Sequence, residues 1–337
     1  MNFSEEQLEI INAPIDEKTI VMAAAAAGKT ATLTERIRHL LKSGMDPRKI
    51  VAITFTNNAA AEMRERLAED FKEGMFMGTI HSYANFLLTS HGFDTSELRT
   101  EEEFDQLFDM IAANPQVLRE IDYLLCDESQ DLNCEQFDFI VTALDPKALL
   151  MVGDVRQSIY GFRGAEPKML LLLMRNEEFV VRELTQNYRN GQAIIQFGNK
   201  IVERMKHMMV SPVTPMRSIR GSIKKISQWE ILSTVKSDHE WKNWAILCRT
   251  NAKVSQVMNM LKKQGIPAIT FRQAQGGLNE LKEQMSKDAV KVLTIHSAKG
   301  LEFNKVIVCD MFYKGEENLR LNYVAVTRAR DELYICS

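Results

Sequence analysis

TIVMAAAAAGKTATLTERIRHLL, residues 19–41, decides how this chain is read. It opens as a β-branched apolar strand and closes as a segment of helical period, with AAAAAGKT at 23–30 between them. A strand, a loop of small residues and a helix opening on Gly-Lys-Thr is the setting that a phosphate-binding loop requires. Backbone amides of Ala23, Ala24, Ala25, Ala26, Ala27 and Gly28, with the helix N-terminus, are then expected to cradle phosphates. Lys29 reaches the β and γ phosphates, and the Thr30 hydroxyl ligates Mg²⁺. Taken alone, the loop also reads as an alanine-rich helix start with an incidental Gly-Lys-Thr, because Ala23 stands where the pattern opens on glycine.

Outward from this stretch, short apolar runs alternate with helical segments, the pattern of crossover units that build a parallel sheet. Strands are predicted at 19–24, 49–56, 123–128, 148–154 and 179–184, and a second series at 244–249, 267–271, 290–295, 305–310 and 332–337. A long helix is predicted over 191–209, followed by a Pro, Ser and Arg segment at 211–221. The 337 residues suit two domains, at roughly 150 residues each. The expected fold is α/β, with one domain over 1–185 and another over 186–337.

With 42 Lys and Arg against 45 Asp and Glu, the net charge of −3 supplies no global field for a polyanion, so any such site must be local. The five cysteines, Cys126, Cys134, Cys248, Cys309 and Cys336, are scattered and mostly in apolar runs, which suggests reduced core thiols and no zinc or disulfide framework. MNFSEEQLEI carries no basic start before an apolar stretch, and no run of about 18 apolar residues occurs. A cytoplasmic protein that does not engage a membrane is expected.

CDESQD at 126–131 ends an apolar run with adjacent carboxylates. Asp127 is expected to hold Mg²⁺, directly or through water, and Glu128 to orient and polarise an attacking water. A solvated acidic turn is the bland alternative, and the phosphate loop upstream weighs against it.

FSEEQLEIINAP (3–14), ITFTNNAAAEMRERL (53–67), GTIHSYANFLL (78–88), VGDVRQSIYGFRGA (152–165), LTQNYRN (184–190), VKVLTIHSAKGLEF (290–303) and NYVAVTRARDELYI (322–335) accompany these two motifs. In this order the motifs resemble those of superfamily 1 DNA helicases of the UvrD, Rep and PcrA type. The resemblance implies two RecA-like domains with parallel sheets and an ATP cleft between them. Gln7 then reads adenine, Tyr188 stacks on it and Glu302 contacts the ribose. Gln157 senses the γ phosphate, while Arg189 and Arg328 act as arginine fingers. Plain core is the other reading of Tyr188.

The same resemblance implies a track for single-stranded DNA. Phe55, Tyr160 and Phe162 match base-contacting positions, and Thr56, Asn57, Thr79, His81, Arg163 and His296 match backbone-gripping ones. Alone, Phe55 would read as a core residue and the two histidines as ordinary ones. The implied activity is ATP-driven movement 3′ to 5′ on a single strand or at a junction with duplex, by one copy of the chain. A loading or stimulating protein is a possible partner.

Three departures carry expectations of their own. The segments at 89–122 and 272–289 are short where relatives insert large accessory domains, which suggests a bare motor that unwinds weakly unaided. Ala24 and Ala26 replace glycine or proline, so the loop must avoid φ > 0 or bind nucleotide less tightly. Ala31 stands where relatives place an arginine against adenine, which leaves ATP selectivity modest. The runner-up function is an ATP-gated DNA- or partner-binding switch with little hydrolysis.

Overall fold

The computed structural model describes residues 2–98, 100–206, 210–271 and 277–336, with the side chains of residues 101 and 102 left out. Parts of three expectations lie outside the described residues: the end of the 191–209 helix, the start of the 272–289 segment, and Ser337. The chain forms two compact units, Met1–Ala23 with Gly28–Leu184, and Ala24–Ala27 with Thr185–Ser337.

In the first unit, strands β1 (Lys18–Ala23), β2 (Ile50–Thr54), β3 (Phe76–Thr79), β4 (Tyr123–Cys126), β5 (Ala148–Gly153) and β6 (Phe179–Leu184) form one sheet in the order β3-β2-β4-β5-β1-β6. Every pairing is parallel. β2, β4 and β5 are buried along their whole length, as strands covered on both faces must be. The edge strand β6 has exposed residues. Apart from Gln7 on the N-terminal helix Glu5–Ile11, the residues singled out in this unit lie at or just beyond the carboxyl ends of β1, β2, β3, β4 and β5, the edge where open α/β sheets bind ligands.

The second unit has a two-stranded ribbon, β7 (Gln186–Asn187) with β8 (Thr214–Pro215), and a sheet of β9 (Ser222–Ile226), β10 (Trp244–Cys248), β11 (Ala268–Ile269), β12 (Val290–Thr294), β13 (Phe303–Cys309) and β14 (Ala329–Cys336). Its order is β11-β12-β10-β13-β14-β9, again wholly parallel. The α/β expectation with parallel sheets therefore holds in both units.

Several details differ from expectation. The helix predicted from 191 runs Gln192–Val202 and ends there. β9 was not predicted, because SIKKI puts two lysines on a strand; it is an edge strand, where exposed lysines discourage pairing with another chain. β3, four residues at the other sheet's edge, was also missed. Cys134 is exposed, whereas the other four cysteines are buried. The short segments hold helices Glu101–Phe104, Gln106–Ala113 and Leu278–Ser286.

A buried cation ties the N-terminal helix Glu5–Ile11 into the first unit. Arg36 is fully buried on helix Lys29–Lys42 and donates to the carbonyls of Ile11 (3.0 Å), Ala13 (2.5 Å) and Pro14 (2.7 Å) and to the Tyr123 hydroxyl (3.1 Å). The guanidinium thus serves carbonyls at and beyond that helix's C-terminus, which have no partner within the helix. Arg36→Met strands these acceptors and is expected to destabilise the fold by about 3 kcal/mol, read as a lower thermal midpoint.

Candidate active site

The expected phosphate loop leaves β1 at Ala23 and enters helix Lys29–Lys42 through Gly28, whose φ is +79°. Gly28 is needed twice over. Its φ is left-handed, and a Cβ there would stand 2.5 Å from Gln7 Nε2. Ala26 has φ +59°, so the loop does not avoid the left-handed region at that position, although Ala24 does avoid it. Alanine pays about 1–2 kcal/mol for this conformation. Ala26→Gly is therefore expected to stabilise the protein by about 0.5–1 kcal/mol after glycine's larger unfolded-state entropy, seen as a thermal midpoint about 2 °C higher.

The acidic motif follows directly. β4 ends at Cys126, Asp127 is buried, and Glu128 takes φ +55°. Asp127 Oδ1 accepts from the Glu128 amide at 2.8 Å, which fixes one carboxylate against the next residue's backbone. Lys29 Nζ donates to Glu128 Oε1 at 2.8 Å. Burial works against the lysine's charge, but Glu128, Asp127 and Asp154 outweigh it and hold its pKa above the usual lysine value.

A residue outside the sequence expectations connects this pair to the next motif. Gln130, fully buried, donates through Nε2 to Glu128 Oε2 (2.5 Å), while its Oε1 accepts from the Asp154 amide (2.8 Å). Asp154 in turn accepts from Gln157 Nε2 (2.7 Å) and Arg156 Nε (2.6 Å). Lys29, Glu128, Gln130, Asp154 and Gln157 thus form one hydrogen-bonded chain along the carboxyl edge of the sheet. Gln7 is buried in a capping box, its Oε1 accepting from the Ser4 amide at 3.0 Å. Its Nε2 lies beside Gly28.

The aromatic residues also gather in the first unit. Phe55 and Tyr160 stack with centroids 5.2 Å apart, Phe162 meets Tyr160 edge-on at 6.0 Å, and Arg163 lies over both Phe55 (5.6 Å) and Tyr160 (5.7 Å). Phe162 is 68% exposed. Burial pushes the Tyr160 hydroxyl's pKa up, so it remains neutral. Thr56 and Asn57 are exposed; Thr56 and Thr79 each cap a helix N-terminus through the side-chain oxygen. His81 is held by Asp105 of the short inserted segment, Nε2 to Oδ1 3.0 Å, with Phe104 and Phe108 beside the ring.

In the second unit the Tyr188 amide donates to the Ala26 carbonyl (3.1 Å) and Asn187 Nδ2 to the Ala25 carbonyl (2.9 Å). The Tyr188 ring is 42% exposed, which disfavours the plain-core reading. Arg189 pairs with Glu302, which also accepts from Arg330 at 3.2 Å. The turn that carries Arg189 from β7 into helix Gln192–Val202 is packed tightly: a Cβ at Gly191 would lie 2.7 Å from Gly221 Cα. Arg328 is buried and donates to the carbonyls of Val324 and Leu301, both at 3.1 Å. His296 is half-buried just beyond β12.

The sequence matches the family described as UvrD/REP helicase N-terminal domain over residues 3–116 and 103–178, and the UvrD-like helicase C-terminal domain over 273–337. The chain belongs to the UvrD/Rep helicase family. It is 25% identical to a "Probable DNA helicase" of Mycoplasma pneumoniae, over 94% of this chain and 80% of that one. It is 27% identical to the ATP-dependent DNA helicase PcrA of Leuconostoc citreum (74% of this chain, 47% of PcrA) and 24% identical to the ATP-dependent DNA helicase Rep of Escherichia coli (78% and 54%). The chain spans about half the length of the latter two relatives. No helix among the described residues is long and apolar enough to cross a membrane.

The donor set suits Mg²⁺. Thr30 and Asp127 supply hard oxygens, and no group of three or more His, Cys, Asp or Glu among the described residues could hold a metal by itself.

Proposed function

We propose that the chain is an ATP-hydrolysing motor that moves 3′ to 5′ on single-stranded DNA. The observation that carries this reading is the chain from Lys29 through Glu128 and Gln130 to Asp154 and Gln157. A clamp that merely binds ATP has no need of a carboxylate tied to the phosphate-reading lysine on one side and to a γ-phosphate-sensing amide on the other.

In the proposed reaction the loop amides, Lys29 and Thr30 receive the triphosphate, and Lys29 exchanges Glu128 for phosphate oxygens. Glu128, so released, orients the attacking water and takes its proton. Thr30 and Asp127 would hold Mg²⁺, which when bound would supply positive charge against the nucleotide phosphates. Arg189 and Arg328 stabilise the transferring phosphoryl, while Gln7, Tyr188 and Glu302 fix the nucleoside. Phe55, Tyr160 and Phe162 stack on bases, and Thr56, Asn57, Thr79, His81, Arg163 and His296 grip the backbone.

The switch reading has one observation in its favour, the left-handed Ala26 in a loop that relatives build with glycine or proline. Streptavidin displacement from oligonucleotides biotinylated at one end separates the two readings. A motor of this polarity clears streptavidin from the 5′ end faster than from the 3′ end, in an ATP-dependent manner. A switch clears neither, and faster clearance of the 3′ end contradicts the proposed direction. The motor also encounters single-to-double-strand junctions, acts as one copy, works in the cytoplasm, and depends on a loading partner for extensive unwinding.

A further inference from the structure

The Pro, Ser and Arg segment at 211–221 has no part in the reaction described above, yet it packs against the turn that carries Arg189. Helix Gln192–Val202 begins at Gly191, which offers no side-chain cap, so its first amides need acceptors from elsewhere. This segment supplies them. The Gln192 amide donates to the Ile219 carbonyl (3.1 Å) and the Ala193 amide to the Arg220 carbonyl (2.8 Å).

Arg217, on the same segment, reaches further. Its Nη1 donates to the carbonyl of Arg189 and, at 3.5 Å, to the carbonyl of Arg330, and it pairs with the Asp331 carboxylate at 2.9 Å. The two residues whose backbones it holds are the two whose side chains share Glu302. Arg217, Arg189, Glu302 and Arg330 thus close a ring, backbone contacts on one side and side-chain contacts on the other. The two stretches also meet through the Gly191 amide, which donates to the Arg330 carbonyl (2.7 Å), and through buried Asn190, whose Nδ2 donates to the carbonyls of Thr327 (3.0 Å) and Ala329. Arg217 adds the bond to the carbonyl of Arg189 itself.

We propose that Arg217 is a positioning residue for ATP hydrolysis: it locks the backbone at Arg189 to the backbone at Arg330, and so aims the Arg189 guanidinium at the transferring phosphoryl. The inference rests on Arg189 acting as an arginine finger and adds the residue that holds it. A half-exposed pair with Asp331 would by itself contribute little. The Arg217 side chain is 19% exposed and spends the same nitrogen on two carbonyls, which is the work of an anchor more than of a surface charge. A stabilising cation acts at full strength only when it is in place before charge develops, so an anchor on its backbone controls rate without touching nucleotide.

The test is a double-mutant cycle on the full chain, read as steady-state ATP hydrolysis at saturating oligo(dT). Arg217→Met is expected to lower kcat on the order of 10- to 100-fold, the cost of misplacing a reacting group by about 1 Å. KM for ATP moves little, the pattern of an interaction made only in the transition state. In an Arg189→Ala background the same substitution lowers the residual rate no further, because the group it positions is gone. Arg217→Lys restores most of the rate, since every contact goes to one nitrogen and an ammonium has three donors. Arg217→Gln, which keeps a donor, repeats the cycle with a smaller loss should methionine lower the thermal midpoint below the assay temperature.

If Arg189→Ala collapses turnover while Arg217→Met and Arg217→Gln turn over as fast as the unsubstituted chain, the inference is overturned and the finger reading stands. Losses at Arg217 that multiply in full with the loss at Arg189, or that appear in KM alone, also overturn it and leave Arg217 a purely structural residue. If Arg189→Ala itself turns over normally, the finger reading fails and this inference falls with it.

Discussion

Arg189→Ala is expected to lower ATP turnover at saturating single-stranded DNA by about 10³ to 10⁵-fold, the range that an arginine supplied to a transferring phosphoryl contributes. Burial pulls the Arg189 pKa down, with Glu302 opposing that shift and Arg330 adding to it. A guanidinium nonetheless keeps its charge at neutral pH. Its carboxylate partner Glu302 is 40% exposed and has Arg330 as a second partner, so the substitution strands no buried ion. The fold should survive within about 1 kcal/mol, and the loss should appear in kcat and not in the thermal midpoint. Lysine should rescue little, because it cannot reproduce the planar fork. A kcat within a few-fold of the unsubstituted protein would remove Arg189 from the reaction.

Glu128→Gln is the second large effect, an expected fall in kcat of about 10² to 10⁴-fold from loss of the general base. The side chain keeps its shape, and its φ of +55° is a backbone property that glutamine can share. What changes is charge. Lys29 loses the nearest of the carboxylates that raise its pKa, so that pKa should fall, with Asp127 and Asp154 remaining. Releasing Lys29 from its 2.8 Å ion pair removes the competitor that ATP phosphates must displace. ATP affinity should therefore be retained or improved while turnover collapses. Equilibrium binding of a fluorescent ATP analogue beside steady-state hydrolysis measures both, and a variant that loses binding together with turnover would reassign Glu128 to a structural role.

Much of this was legible in the sequence, for identifiable physical reasons. β1, the loop and helix Lys29–Lys42 announce themselves because a β-branched run, small residues and Gly-Lys-Thr each restrict the backbone in a different way. Asp127 and Glu128 stand out because adjacent carboxylates at the end of an apolar strand have few structural uses. Gln130 was not legible. An amide that donates to one motif and accepts from another acquires its meaning only when β4 and β5 are brought side by side.

Arg36 likewise reads as solvated helix surface, and its burial depends on carbonyls more than twenty residues earlier in the chain. The link from His81 to Asp105 was hidden for the same reason. Ala26 is the opposite case, a residue whose chemistry argued against the conformation it adopts. β9 was concealed by lysines that belong on an edge strand. Local restrictions of backbone and charge could be read in advance, and pairings across strands could not.

The central claim is that DNA on the aromatic track and ATP on the phosphate loop belong to one hydrolytic cycle. Its most direct test is the steady-state ATPase rate of the full chain with and without oligo(dT), with Glu128→Gln as the control. The account predicts a low basal rate, strong stimulation by the oligonucleotide, and loss of the stimulated rate in the variant. A rate that is negligible and unchanged by DNA, or a stimulated rate that survives Glu128→Gln, would contradict it.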